Sequence, residues 1–150
     1  MEKQSDTFSE GIAPGGLREK SEIKLLLCYL LKMVDRSLSR SQINDILQEY
    51  PIANYFEVNE ALNELVKNGT VISELGEKDE LFSVTHKTKY EVSSIERSLP
   101  RSIREKAVSA ALAESLILEF KFHHPQKNNR KALTSRLFSV YIVLIFRRRL

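Results

Sequence analysis

Asn54-Tyr55-Phe56-Glu57-Val58-Asn59-Glu60-Ala61-Leu62-Asn63-Glu64-Leu65-Val66-Lys67-Asn68-Gly69 is the stretch whose reading decides the fold. Val58, Ala61, Leu62, Leu65 and Val66 recur at the three-and-four spacing of one helix face, and Glu57, Glu60, Asn63, Glu64 and Lys67 fall on the other. Asn68-Gly69 supplies a stop that tolerates positive φ. The pattern predicts an amphipathic helix of about four turns. Phe56 is expected in the core and Tyr55 half-exposed.

On the C-terminal side, residues 70–75 (TVISEL) and 81–85 (LFSVT) are two short β-prone runs. They flank the polar turn Gly76-Glu77-Lys78-Asp79-Glu80 and read as a hairpin. On the N-terminal side, Ser39-Arg40-Ser41-Gln42 opens a short helix with Ile43, Ile46, Leu47 and Tyr50 as its apolar positions. Either serine can cap it, and Ser39 with Gln42 three residues on matches a capping box. Pro51 ends this helix, because the residue before a proline disfavours the α conformation. Earlier still, Ile23, Leu26, Leu27, Leu30, Leu31 and Val34 make the broad apolar face of a first helix, with Ser21 as its candidate cap. Leu38 stands alone between the two helices. Three helices followed by a hairpin is the order of a winged helix-turn-helix, and the opening stretch takes the place of its recognition helix.

Beyond the hairpin, Tyr90, Val92, Ile95 and Leu99 give a weaker helical signal that Pro100 breaks. Ser102 is placed to cap a further, alanine-rich helix over roughly residues 103–120. We therefore expect a mainly α protein with a small β-hairpin, a winged helix-turn-helix domain with appended C-terminal helices. Residues 1–16 form a flexible N-terminal arm, 17–86 the winged domain, 87–120 the appended helices with a homodimer contact, and 121–150 a basic tail.

Charge is distributed unevenly. The chain carries +3 overall, yet residues 121–150 hold eight Lys/Arg and no acid, which leaves −5 on residues 1–120. The basic balance thus belongs to the tail and is a weak argument for nucleic acid. Residues 137–146 of that tail are apolar but too short to cross a bilayer as a helix, which takes about 20 residues, so no membrane partner is expected. No apolar signal-peptide run opens the chain, and we expect a cytoplasmic protein. Cys28, the one cysteine, lies in the apolar run 25–31 and reads as a buried structural thiol.

Catalysis finds no support in the residues. There is no Gly-rich phosphate loop, nucleophile elbow, CxxC or HExxH. The soft ligands Cys28, His86, His123 and His124 do not form a metal-binding pattern, so neither metal nor cofactor is expected. Glu60 and Glu64 share a helix face and read as a solvated surface rather than an acid/base pair.

The candidate chemistry is nucleic-acid recognition. Asn59 and Asn63 are outward on the third helix, where an amide can pair with adenine in the major groove. Tyr55 can reach a phosphate, as can Ser39, Arg40 and Ser41 at the N-terminus of the second helix and Lys67 at the end of the third. Against this, Glu57, Glu60 and Glu64 outnumber Lys67, and Glu77, Asp79 and Glu80 outnumber Lys78 in the turn. Phosphate neutralisation carries much of DNA affinity, so an acidic helix and wing oppose it. The competing reading is a protein-interaction module that uses the acidic helix and wing, favoured if Tyr55 and Phe56 prove an exposed pair.

Three segments carry a resemblance. They are residues 6–17 (DTFSEGIAPGGL) ahead of 22–31 (EIKLLLCYLL), residues 53–57 (ANYFE) with 61–69 (ALNELVKNG), and residues 99–104 (LPRSIR). Together they resemble an uncharacterised bacterial winged-helix family, a domain of unknown function grouped with transcriptional regulators. The likeness covers about residues 6–112 and implies a winged-helix fold and DNA binding, with no ligand or active site. Such chains usually carry Thr-x-Lys-Gly after the last strand; Thr85-His86-Lys87-Thr88 lacks the glycine, so the turn must close differently. The family's further C-terminal α/β region has no counterpart here, and the basic tail is expected to be divergent. The reading that follows is a homodimeric regulator that binds double-stranded DNA through Ser39, Arg40, Ser41, Tyr55, Asn59, Asn63 and Lys67.

Overall fold

The computed structural model describes residues 16–123, with side chains as far as residue 117. The expected arm, apart from Gly16, and the expected tail beyond His123 lie outside the described residues. Along the chain run α1 (Lys20–Val34), β1 (Leu38–Ser39), α2 (Arg40–Glu49), α3 (Tyr55–Lys67), β2 (Val71–Leu75), β3 (Glu80–Val84), α4 (His86–Ile95), a 3-10 turn (Glu96–Ser98) and α5 (Arg101–His123). The chain divides after Ala110 into two compact units, and α5 runs from the first into the second. The structure is mainly helical, with one small antiparallel sheet.

Ile23, Leu26, Leu27, Leu30 and Leu31 are buried along α1, which packs against α3, α4 and β3. Such a wide apolar stripe lets one helix serve several neighbours at once. Glu19, not Ser21, occupies the cap position; Ser21 lies in the first turn, its hydroxyl 3.5 Å from the Glu19 carboxylate. Cys28 is buried among these leucines, and desolvation pushes its thiol up to about 11.

Leu38 is not an isolated apolar residue but the first half of a strand. It pairs with Phe82, and Ser39 pairs with Leu81, so the expected hairpin is a three-stranded sheet in the order β1-β3-β2. Two residues are too few for alternation to be seen in a sequence. Val71 to Leu75 of β2 pair with Val84 to Glu80 of β3. The turn closes through the Gly76 N–H, which donates to the Asp79 carbonyl at 2.9 Å; a Cβ on Gly76 would lie 2.8 Å from that oxygen.

Ser39 also caps α2. Its hydroxyl accepts from the Gln42 N–H at 3.2 Å, and the Gln42 side chain accepts from the Ser39 N–H at 2.9 Å. Tyr50, expected on the buried stripe, is exposed at the C-cap, because the extended backbone ahead of Pro51 takes it off the helix face. Asn54 caps α3 by accepting from the Phe56 N–H at 2.8 Å. Gly69, with φ of 73°, follows its last turn.

Val58, Ala61, Leu62 and Leu65 are buried as expected, with Val66 only half-buried. Phe56 is not core: 73% of it is exposed, and Tyr55 beside it is 48% exposed. Thr85 caps α4, accepting from the Thr88 N–H at 3.1 Å, and the buried Thr88 hydroxyl donates to the Thr70 carbonyl at 2.8 Å. This is how the turn closes where a glycine was expected. On and after α4, Val92 and Leu99 are buried, but Tyr90 and Ile95 are exposed. α5 begins at Arg101, which places Ser102 inside its first turn rather than at the cap. Among the described residues, no helix is long and apolar enough to cross a membrane.

Candidate nucleic-acid interface

At 3.6 residues per turn, the outward side chains of α3 follow one another around its axis as Tyr55, Asn59, Asn63, Phe56, Lys67, Glu60, Glu64 and the half-buried Glu57. Asn63, Phe56 and Lys67 form the crest of this arc, and all three are exposed. The two flanks face different partners.

On the flank toward α1, Lys20 Nζ lies 3.0 Å from Glu60 and 2.7 Å from Glu64, and Lys24 Nζ lies 2.5 Å from the second oxygen of Glu64. Hydrogen bonds from Lys20 and then Lys24 hold the Glu64 carboxyl down at about 2. Those to Glu64 and Glu60 push Lys20 up to about 12. Two of the three glutamates that made α3 look acidic are therefore matched by cations from another helix. Glu60 and Glu64 are an ion-paired flank rather than a simply solvated one.

On the flank toward α2 and the sheet, Arg40 is the hub. Its Nη1 donates to Asn59 Oδ1 at 3.3 Å, and its Nη2 donates to Asn63 Oδ1 at 3.0 Å and to Glu80 Oε2 at 3.2 Å. The guanidinium sits over the Phe82 ring, 4.9 Å from its centroid, within cation–π range. Helix and sheet together set this position, because Arg40 begins α2 while Phe82 and Glu80 belong to β3. Glu80 also accepts from the Ser73 hydroxyl on β2; Ser73 first and Arg40 second hold its carboxyl below the usual range.

Asn59 and Asn63 differ sharply. The Asn59 amide nitrogen donates to Asn44 Oδ1 at 3.0 Å and to the Tyr55 carbonyl at 2.8 Å, while its oxygen accepts from Arg40 and from Asn44 at 3.3 Å. That uses both donors and both lone pairs of the amide. Asn63 is exposed; its oxygen accepts from Arg40, and its nitrogen has no partner among the described residues. Arg40, Asn59 and Asn63 are thus brought together, with the Tyr55 carbonyl. Ser39 lies beneath them, buried and occupied by its cap. Ser41 is exposed, its hydroxyl 3.5 Å from Asp45, and Lys67 is exposed in the last turn of α3. Tyr55 meets Phe56 edge to face, with centroids 5.5 Å apart.

Sequence reasoning missed Asn44, which is buried and bonded to Asn59 and to the Arg40 carbonyl. Its signal was available: a polar residue next to Ile43 and four positions after Arg40. It also missed Phe56 as a surface group. Among the described residues, no group of three His, Cys, Asp or Glu side chains is placed to hold a metal ion.

A family model described as "Domain of unknown function (DUF4364)" matches residues 23–132. No curated protein and no solved structure matches the chain.

Proposed function

The chain belongs to this domain-of-unknown-function family, and we propose that it is a DNA-binding transcriptional regulator built on a winged helix-turn-helix. Support for the winged arrangement comes from the order α1-β1-α2-α3-β2-β3, in which α3 stands where a recognition helix stands and the hairpin β2–β3 where a wing does. The observation that carries the DNA reading is the exposed 3.0 Å hydrogen bond between Arg40 and Asn63 beside the hairpin. It sets a cation for phosphate next to an amide for a base edge. Arg40 opens α2, so the helix dipole favours an anion there as well. Asn63 keeps its amide donors on the crest of α3, where a bidentate pair with adenine is open to it. Phe56 beside it suits the methyl group of thymine.

The matching of Glu60 and Glu64 by Lys20 and Lys24 removes much of the repulsion that an acidic helix would present to phosphate. In this reading the regulator acts as a homodimer, so that two copies of α3 meet two half-sites.

A second reading, a protein-interaction module, is favoured by one observation. The exposed Tyr55–Phe56 pair accompanies a hairpin that exposes Glu74, Glu77 and Asp79, a combination suited to a basic protein surface. A genomic DNA selection with the purified protein at two salt concentrations separates the two. Enrichment of a common sequence, weaker at the higher salt, supports the DNA reading. No enrichment at either salt favours the protein-interaction module.

A further inference from the structure

Arg40 Nη2 is shared by two acceptors of different kinds, the neutral Asn63 amide oxygen at 3.0 Å and the Glu80 carboxylate at 3.2 Å. We infer that Glu80 is a built-in competitor for DNA phosphate, its carboxylate occupying on Arg40 the position that a backbone phosphate takes when DNA is bound. This rests on the DNA reading above and adds a regulatory contact to it. The free domain keeps its phosphate anchor latched to the hairpin and yields it only to a stronger anion.

Three observations make the exchange feasible. First, Arg40 does not depend on Glu80 for its place, since the guanidinium also lies over Phe82 and donates to Asn59 and Asn63. Displacing the carboxylate therefore leaves a cation still oriented for a phosphate. Second, Glu80 has another partner to stay with, the Ser73 hydroxyl on the neighbouring strand. Third, the ion pair is solvent-accessible, with side-chain exposures of 34% for Arg40 and 44% for Glu80. Water and salt weaken such a pair, whereas phosphate bound by arginine brings bidentate, charge-assisted bonds.

Glu80→Gln removes the charge and keeps an acceptor for Arg40, and Glu80→Thr removes the charge and keeps a strand-forming side chain. Each is measured in the full chain for equilibrium binding to a mixed-sequence DNA duplex across a salt series, with and without Arg40→Ala. We expect both variants to bind about three- to tenfold tighter than the wild type near 0.1 M salt. The slope of log affinity against log salt should steepen only slightly, by less than one phosphate contact, because wild type and variants make the same contacts when bound and added salt loosens the latch in the wild type alone. Most of the gain should vanish in the Arg40→Ala background, which a general loss of negative charge would not produce. Equal affinity and slope in wild type and variants, or an equal gain without Arg40, overturns the latch while leaving DNA binding in place. Absence of binding by wild type and variants at the lowest salt overturns the DNA reading and the latch together.

Discussion

The two flanks of α3 handle polar side chains in opposite ways. Toward α1, glutamates and lysines meet as ion pairs, and charge on one helix cancels charge on the other. Toward α2 and the sheet, a single arginine is divided among two amides and a carboxylate. The first flank closes on itself; the second leaves Asn63 exposed beside a cation. One polar face in sequence is thus two surfaces in the fold, and only one of them is suited to an external ligand.

The deepest break of this comparison is on the face opposite both flanks. Leu62 is fully buried, so Leu62→Asp places an unpaired carboxylate in the core and should cost at least about 4 kcal/mol. Loss of a cooperative thermal transition by circular dichroism is the expected outcome, and a folded variant would mean that the helix faces are wrongly assigned.

Next comes the contrast between the two asparagines. Asn59→Ala leaves the oxygen of the buried Asn44 amide without its donor, although the nitrogen keeps the Arg40 carbonyl, and should destabilise by about 1–3 kcal/mol. Asn63→Ala, exposed, should stay within about 0.5 kcal/mol of wild type. Denaturant titration checks both, and equal costs would erase the distinction between scaffold and reader.

The smallest effect belongs to the ion-paired flank. Glu64 titrates near 2 in the folded chain, below its ordinary 4.5, so its contribution is present above about pH 4.5 and is lost as pH falls toward 2. The melting-temperature gap between wild type and Glu64→Gln should therefore be constant from neutral pH to about pH 5 and then close by about pH 2. Added salt should narrow it at neutral pH. A gap that widens on acidification would contradict the pairing.

Local chemistry explains what was legible in the sequence. The Ser39–Gln42 capping box, the Asn54–Gly69 helix and the two hairpin strands all depend on residues within a few positions of one another, and all are present. What escaped depends on distance along the chain. β1 exists because Phe82 is there to pair with Leu38, and the Glu60 and Glu64 pairs exist because α1 brings Lys20 and Lys24 alongside. Phe56 is a different case. Helical spacing alone puts it with Asn63 and Lys67 on the crest, and its hydrophobicity outweighed its position in the reading. At the candidate site, Arg40 and Asn63 were readable as outward groups, but the saturation of Asn59 became visible only with Asn44 placed against it.

The central claim is that the flank beside Arg40 reads DNA through Asn63. Its most direct test is the affinity of wild type and Asn63→Ala for a selected sequence and for a scrambled duplex. We predict that Asn63→Ala loses about 1–3 kcal/mol on the selected sequence and nothing on the scrambled one. Unchanged affinity for the selected sequence, or equal loss on both duplexes, would contradict it.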